Sequence, residues 1–314
     1  MSNICKTALL EAYRVATLPY RAVVRQRFTA DGKVPVILLY YHRVADTDPV
    51  AWSLSNDQFL VHMDWLARNY DFVSMEEAQR RVREGSPRPS VHITFDDGYG
   101  ENCHKALPML IQREIPCTYF VTLDNVVNAK PFVHDQNAGG EFPVNTIAEL
   151  RHLADNGIEI AAHTRHHPNM GEVHDLETIY DEIVLAKREL AEAIGRPVRY
   201  FAFPFGMKPN LNDAAAAMAR ADGIECIVSA YGGYNYFGDD AFHLQRCHGD
   251  PELLRLRNAI TYDLRHLRKE KANIVTEGPS VAEALAYYEQ RNQAQPAPIC
   301  GADLDAITPT QQTS

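Results

Sequence analysis

Two stretches of the chain hold residues whose types and spacing could do chemistry together. In "VHITFDDGYGENCHKALPML" (91–110) an apolar, β-prone run ends in adjacent carboxylates, Asp96 and Asp97, followed by Gly98. Alone, Asp-Asp-Gly reads first as a solvated turn. In "HTRHHP", His163 and His167 stand four residues apart, with Pro168 just after the second. Alone, such a pair reads first as hydrogen-bonded or solvent-facing. Together, two imidazoles and one carboxylate supply three ligands for a divalent cation and leave a position open for water. That is the pattern of a catalytic metal site, whereas structural zinc is closed by four protein ligands. The paired aspartates then have a reason to be adjacent. Successive side chains of an extended chain point to opposite faces. One carboxylate can bind the metal while the other takes a proton from water, and the cation offsets their repulsion. A third stretch, "RYFAFPFG" (199–206), brackets Phe205 with Pro204 and Gly206. It predicts a shaped turn whose backbone N–H near Phe205 could help hold an oxyanion. The chemistry so assembled is metal-assisted hydrolysis.

These clusters need a frame. "VPVILLYYH", "VHITF", "PCTYFVT", "IEIAAHT", "VRYFAFPFG" and "IECIVSA" read as buried strands. Helical patterns alternate with them: "SNDQFLVHMDWLARN" with Ser55 as N-cap, "SMEEAQRRVREG" ended by Gly85, "CHKALPMLIQRE", "TIAELRHLADNG", "DLETIYDEIVLAKRELAEAIG" and "NDAAAAMARADG". Strands alternating with helices imply a parallel α/β sheet, and the number of units favours a barrel or incomplete barrel. In such folds polar clusters collect at the C-terminal ends of the strands, which is where all three fall.

The 314 residues and 46% hydrophobic content allow one large core with extensions. A formal charge of −10 excludes a general nucleic-acid binder. Basic residues cluster locally, at Arg14, Arg21, Arg25, Arg27 and Lys33 and again from Arg255 to Lys271, and read as solvated helix faces. Six scattered cysteines without a Cys-x-x-Cys pair suit reduced thiols. The N-terminal stretch is interrupted by Glu11 and Arg14 and does not read as a signal peptide, nor does any stretch read as a transmembrane span. It reads as a basic amphipathic helix, kinked at Pro19, packed on the protein's own surface, with peripheral membrane attachment as the second reading. The expected location is the cytoplasm or the inner face of the membrane. From about Thr276 the sequence is rich in Gln, Ala, Pro and Thr and reads as poorly ordered.

The three motifs resemble those of the polysaccharide deacetylases, carbohydrate esterase family 4, with the NodB-homology domain. "TFDDGY", "HTRHHP" and "RYFAFPFG" are similar to that family's first three motifs, in order, and the resemblance covers roughly Val34 to Arg246. It implies a distorted, incomplete (β/α)7-type barrel over 34–275, an N-terminal helical extension over 1–33, and a helical or poorly ordered tail over 276–314. It implies Asp96 as general base and Asp97, His163 and His167 as metal ligands, zinc by default. Thr164 would support these ligands from behind, while Arg199, Pro204, Phe205 and Gly206 would shape the groove and oxyanion site. The position of the family's base-orienting arginine reads Ala202. The later motifs are blurred within "SAYGGYNYFGDDAFHLQRCHGD"; His248 is the candidate general acid, and His42 a rival for a supporting role. His92, His104, His134, His152 and His243 read as structural or surface residues. The implied activity is removal of an N-acetyl group from an amino-sugar glycan or glycolipid intermediate. The alternatives are hydrolysis of another non-peptide amide, cyclic or a formamide, and a glycan-binding relative without catalysis.

Overall fold

A computed structural model describes residues 3–270 and 273–294. Lys271, Cys300 and the Gln/Pro-rich end of the 276–314 segment lie outside the described residues.

Seven strands form the frame: β1 (Val36–Tyr41), β2 (Ser90–Phe95), β3 (Cys117–Val121), β4 (Glu159–Ala162), β5 (Tyr200–Ala202), β6 (Cys226–Ser229) and β7 (His243–His248). Each pairs with the next in parallel from β2 to β7. β1 closes the ring, pairing with β2 from Val36↔Ser90 to Tyr41↔Phe95 and with β7 from Leu38↔Arg246 to Tyr40↔His248. The result is the expected (β/α)7-type barrel, one strand short of eight. It is distorted at β4–β5, where Ala162↔Phe201 is the single register pair. β7 is the one barrel strand that the apolar runs did not announce.

Strand alternation sorts the core into two layers. Val36, Leu38, Phe120, Ala161, Tyr200, Ala202, Val228 and Leu244 fill the barrel, which helix Met75–Glu84 helps to close with Ala78 and Val82. The alternate residues, among them Ile37, Leu39, Ile93, Phe95, Val121, Ile160 and Ile227, face the surrounding helices. Those helices start where the sequence supplies caps. Ser55 and Thr146 each close a capping box, and Asn212 accepts from the N–H of Ala215. Helix Asn3–Ala30 runs through Pro19 and packs beside Leu253–Ile260, and helix Pro279–Ala294 packs against Asp213–Ala221. No helix among the described residues is long and apolar enough to cross a membrane.

Candidate active site

Because the strands are parallel, the segments that follow β2, β4 and β5 emerge at one end of the barrel. They meet around a chamber of about 270 Å³. The Asp-Asp-Gly turn is not solvated: Asp96 is 3% and Asp97 2% exposed. Ser90, His92 and Thr94 are the polar inward positions of β2, and Asp96 continues that face. Simple alternation would send Asp97 outward. Its left-handed backbone (φ 76°) instead turns it into the same chamber. Gly98 follows at φ 112°, where an added Cβ would lie 3.1 Å from Val126.

Asp97, His163 and His167 bring one ligand atom each to within 4.8 Å of one another. Asp97 Oδ1 lies 3.5 Å from His163 Nε2 and 3.3 Å from His167 Nε2. His163 Nδ1 is 2.8 Å from the carbonyl oxygen of Ala202, to which it donates. That bond leaves the Nε2 lone pair facing Asp97, as a metal-binding imidazole requires. Burial alone would raise the Asp97 carboxyl, but the imidazoles of His163 and His167 against it, with His42 nearby, hold it well below the usual carboxylate range. The donor set, one carboxylate and two imidazoles, that of His163 with its tautomer fixed, fits a divalent cation of the zinc type.

The histidine loop is held in a strained path. Thr164 (φ 63°) and His167 (φ 61°) both adopt left-handed backbone, and for a β-branched threonine that is rare. Two contacts fix it. Thr164 Oγ1 accepts from the His167 N–H at 3.0 Å. Buried Glu182 accepts from the N–H groups of Arg165 (2.8 Å) and His166 (3.0 Å) and pairs with His166 Nδ1 at 2.7 Å. Glu182 reaches the loop from a π-helical turn, Asp181–Leu185, in the helix that crosses behind it.

After β5, Phe205 (φ 60°) and Gly206 (φ 63°) turn the chain back. Gly206 donates to Pro204 O and accepts from Ala230 N–H; a Cβ there would lie 2.5 Å from that nitrogen. The Phe205 N–H has no backbone acceptor among the described residues, and its ring packs edge-on against His167.

Asp96 stands apart from the histidines. Its two oxygens accept a bidentate pair from Arg246, Nη1 at 2.5 Å and Nη2 at 2.8 Å, and Nη1 also reaches Thr94 Oγ1 at 3.0 Å. Arg246 sits on the inward face of β7, between the rings of Tyr40 and Phe120. An arginine thus faces Asp96 although residue 202 is alanine.

Two further placements differ from expectation. Arg199 precedes β5 and sits at the opposite end of the barrel, paired with Glu159 at 3.0 Å. It does not shape the groove, because β5 runs from Tyr200 toward the chamber and Arg199 precedes its start. His134, read as structural or surface, lines the chamber. Its Nε2 is 3.0 Å from Tyr99 Oη and 4.0 Å from Asp97 Oδ2, and Tyr99 in turn donates to buried Asp135. Trp52 packs edge-on against it. His42 lines the chamber directly, whereas His248 lines the adjoining cleft, 6.3 Å from His42 between ring centroids. Burial, then the neighbouring His42, push the His248 imidazole down to about 4.

With this geometry in hand, comparison with known proteins is direct. Residues 83–227 match the family model described as Polysaccharide deacetylase. A chitooligosaccharide deacetylase from Bradyrhizobium sp. (strain ANU 289) is 27% identical over 153 residues, 48% of this chain and 61% of that protein. A Bacillus subtilis (strain 168) protein named as a polysaccharide deacetylase, YxkH, is 27% identical over 140 residues, 43% of this chain and 44% of that one. The chain thus spans about half the length of the curated relatives it matches. Among solved structures, IcaB from Ammonifex degensii superposes with a TM-score of 0.59 at 20% identity, over 73% of this chain and 97% of that one, a likeness of fold.

Proposed function

We propose that this chain, whose residues 83–227 match the polysaccharide deacetylase family, hydrolyses the N-acetyl group of an amino-sugar glycan or glycolipid intermediate. One observation carries the reading. Adjacent carboxylates enter one chamber with separate partners, Asp97 with two imidazoles and Asp96 with a buried arginine.

A divalent cation, zinc by default, held by Asp97, His163 and His167 would polarise the acetamide carbonyl and acidify water. Asp96 accepts the proton of the attacking water. Arg246 aims Asp96, because a bidentate pair fixes the carboxylate plane. The Phe205 N–H donates to the developing oxyanion. The leaving amine takes its proton from the imidazole pair. His42 is the donor because it lines the chamber, while His248 is held neutral near pH 7 beside it. Trp52 and Tyr40 give the sugar ring apolar faces.

The test is acetate release from N-acetylglucosamine oligomers by the purified protein, with its metal content measured, before and after chelation. Activity that falls with chelator and returns with metal supports the reading. Formate release from N-formyl sugars with none from N-acetyl sugars would move the substrate to formamides. Turnover unchanged in Asp96→Asn would sink the mechanism.

A further inference from the structure

Helix Asn3–Ala30 has one side engaged and the other bare. Arg21 is buried and donates to the carbonyl oxygens of Asn258 and Thr261 and to Asp263 Oδ2, the last at 3.0 Å. These bonds fix the rotation of the helix on the barrel. At about 100° per residue, Ala12, Val15, Ala16 and Val23 fall in one arc opposite Arg21, with Leu9 and Tyr20 at its edge. All six are exposed, Leu9 by 64% and Val23 by 53%. Every charged residue exposed along the helix is basic: Lys6, Arg25 and Arg27. Its single acid, Glu11, is paired with Arg14 at 2.6 Å. Five basic residues against one acid give the helix a formal charge of +4 on a chain of −10. Along one flank, a crevice of about 250 Å³ between helix and barrel is lined by Arg14, Arg25 and Arg257 with Trp65, Tyr70 and Tyr262. Arg25 makes no hydrogen bond or ion pair with any described residue.

We propose that this helix docks the protein on an anionic phospholipid surface, with the apolar arc at the boundary of headgroups and acyl chains and Arg27, at the edge of that arc beside Leu9, reaching the lipid phosphates. The apolar arc alone does not choose an occupant; the charge does. A second copy would bring exposed Lys6, Arg25 and Arg27 against their like, whereas an anionic leaflet attracts all three. The same helix lends Leu10 to the cleft that shares Tyr40 and Ala230 with the catalytic chamber. Docking and the approach to the chamber therefore share one element.

The experiment is co-sedimentation of the full chain with vesicles of phosphatidylcholine alone and of phosphatidylcholine with phosphatidylglycerol, at low and high salt. The expected result is partition onto the anionic vesicles only, weakening as salt rises. Arg25→Glu should lower the partition on the order of tenfold. Leu9→Glu combined with Val23→Glu should abolish it, while the circular-dichroism melt stays that of the parent, since both positions are exposed. Absence of partition onto anionic vesicles overturns the proposal, as does partition that survives Leu9→Glu/Val23→Glu. A parent dimer that this double substitution converts to monomer would assign the face to a second copy and overturn it too.

Discussion

The barrel carries an arginine–carboxylate pairing at each end, and the two are opposites. At the chamber end, Arg246 is fully buried and holds both oxygens of Asp96 at 2.5 and 2.8 Å. At the other end, Arg199 is 34% exposed and shared among Glu159 (3.0 Å), Glu225 (3.6 Å) and Glu76 (3.8 Å). Water solvates the second cluster and leaves it little net energy. Burial makes the first one costly to break, though not efficient as a source of stability, because desolvation consumes much of the Coulomb gain. A buried pair at the mouth of a barrel is thus better explained by what it orients than by what it stabilises.

The comparison breaks hardest at Asp96. Asp96→Asn keeps the shape and removes the carboxylate proposed as the base, so turnover should fall by about 10³-fold, with metal content unchanged. Retained metal separates loss of the base from loss of the site, and lost metal would reassign Asp96 to the ligands.

Arg246→Ala comes next. It leaves Asp96 buried and unpaired, which should lower stability by about 3–5 kcal/mol and turnover by about 10²-fold. A denaturant melt alongside kcat measures both. Arg246→Lys keeps the charge without the fork and should fall between parent and alanine in kcat. The double variant Asp96→Leu/Arg246→Met separates the two roles. It should recover most of the lost stability, since both charges leave together, and none of the turnover.

These roles divide what the sequence discloses from what it hides. Asp96, Asp97, His163 and His167 were legible because each follows an apolar run that reads as a strand, so local pattern also fixes which end they occupy. Arg246 was not, because its partner lies 150 residues away and β7 reads "HLQRCH", too polar at its inward positions to announce a strand. Its parity was the available signal: Leu244, Arg246 and His248 share a face, and an inward arginine demands an acid. His134 lies on a short helix, Val133–Asn137, and nothing in its neighbours points to the chamber. Arg199 misled for the converse reason. It belongs to the third motif by sequence, yet it precedes β5, and the length of that strand carries it to the far end.

A smaller effect follows from the buried histidines. Burial pushes His92, inside the barrel, His62 and His248 each down to about 4, against about 6.5 when unfolded. Each folded-state value lies below the unfolded one, so protonation favours unfolding. Their contribution is complete above pH 6.5 and is lost as pH falls toward 4. Each histidine should contribute a slope of about 1.4 kcal/mol per pH unit within that window. Urea midpoints at half-unit steps would reveal it, and a flat profile would mean that these rings are reached by water.

The smallest expected change sharpens the comparison from its other side. Arg199→Ala should lower stability by less than about 1 kcal/mol, because each of its pairs is partly solvated and screened. Glu159, Glu225 and Glu76 are then left among themselves at one rim, so the loss should shrink further in high salt. Turnover should equal that of the parent, since neither Arg199 nor its partners line the chamber. A tenfold fall in kcat for Arg199→Ala would show that the far end of β5 communicates with the Phe205 turn through only three strand residues. It would also return Arg199 to the groove-shaping role that its motif implies.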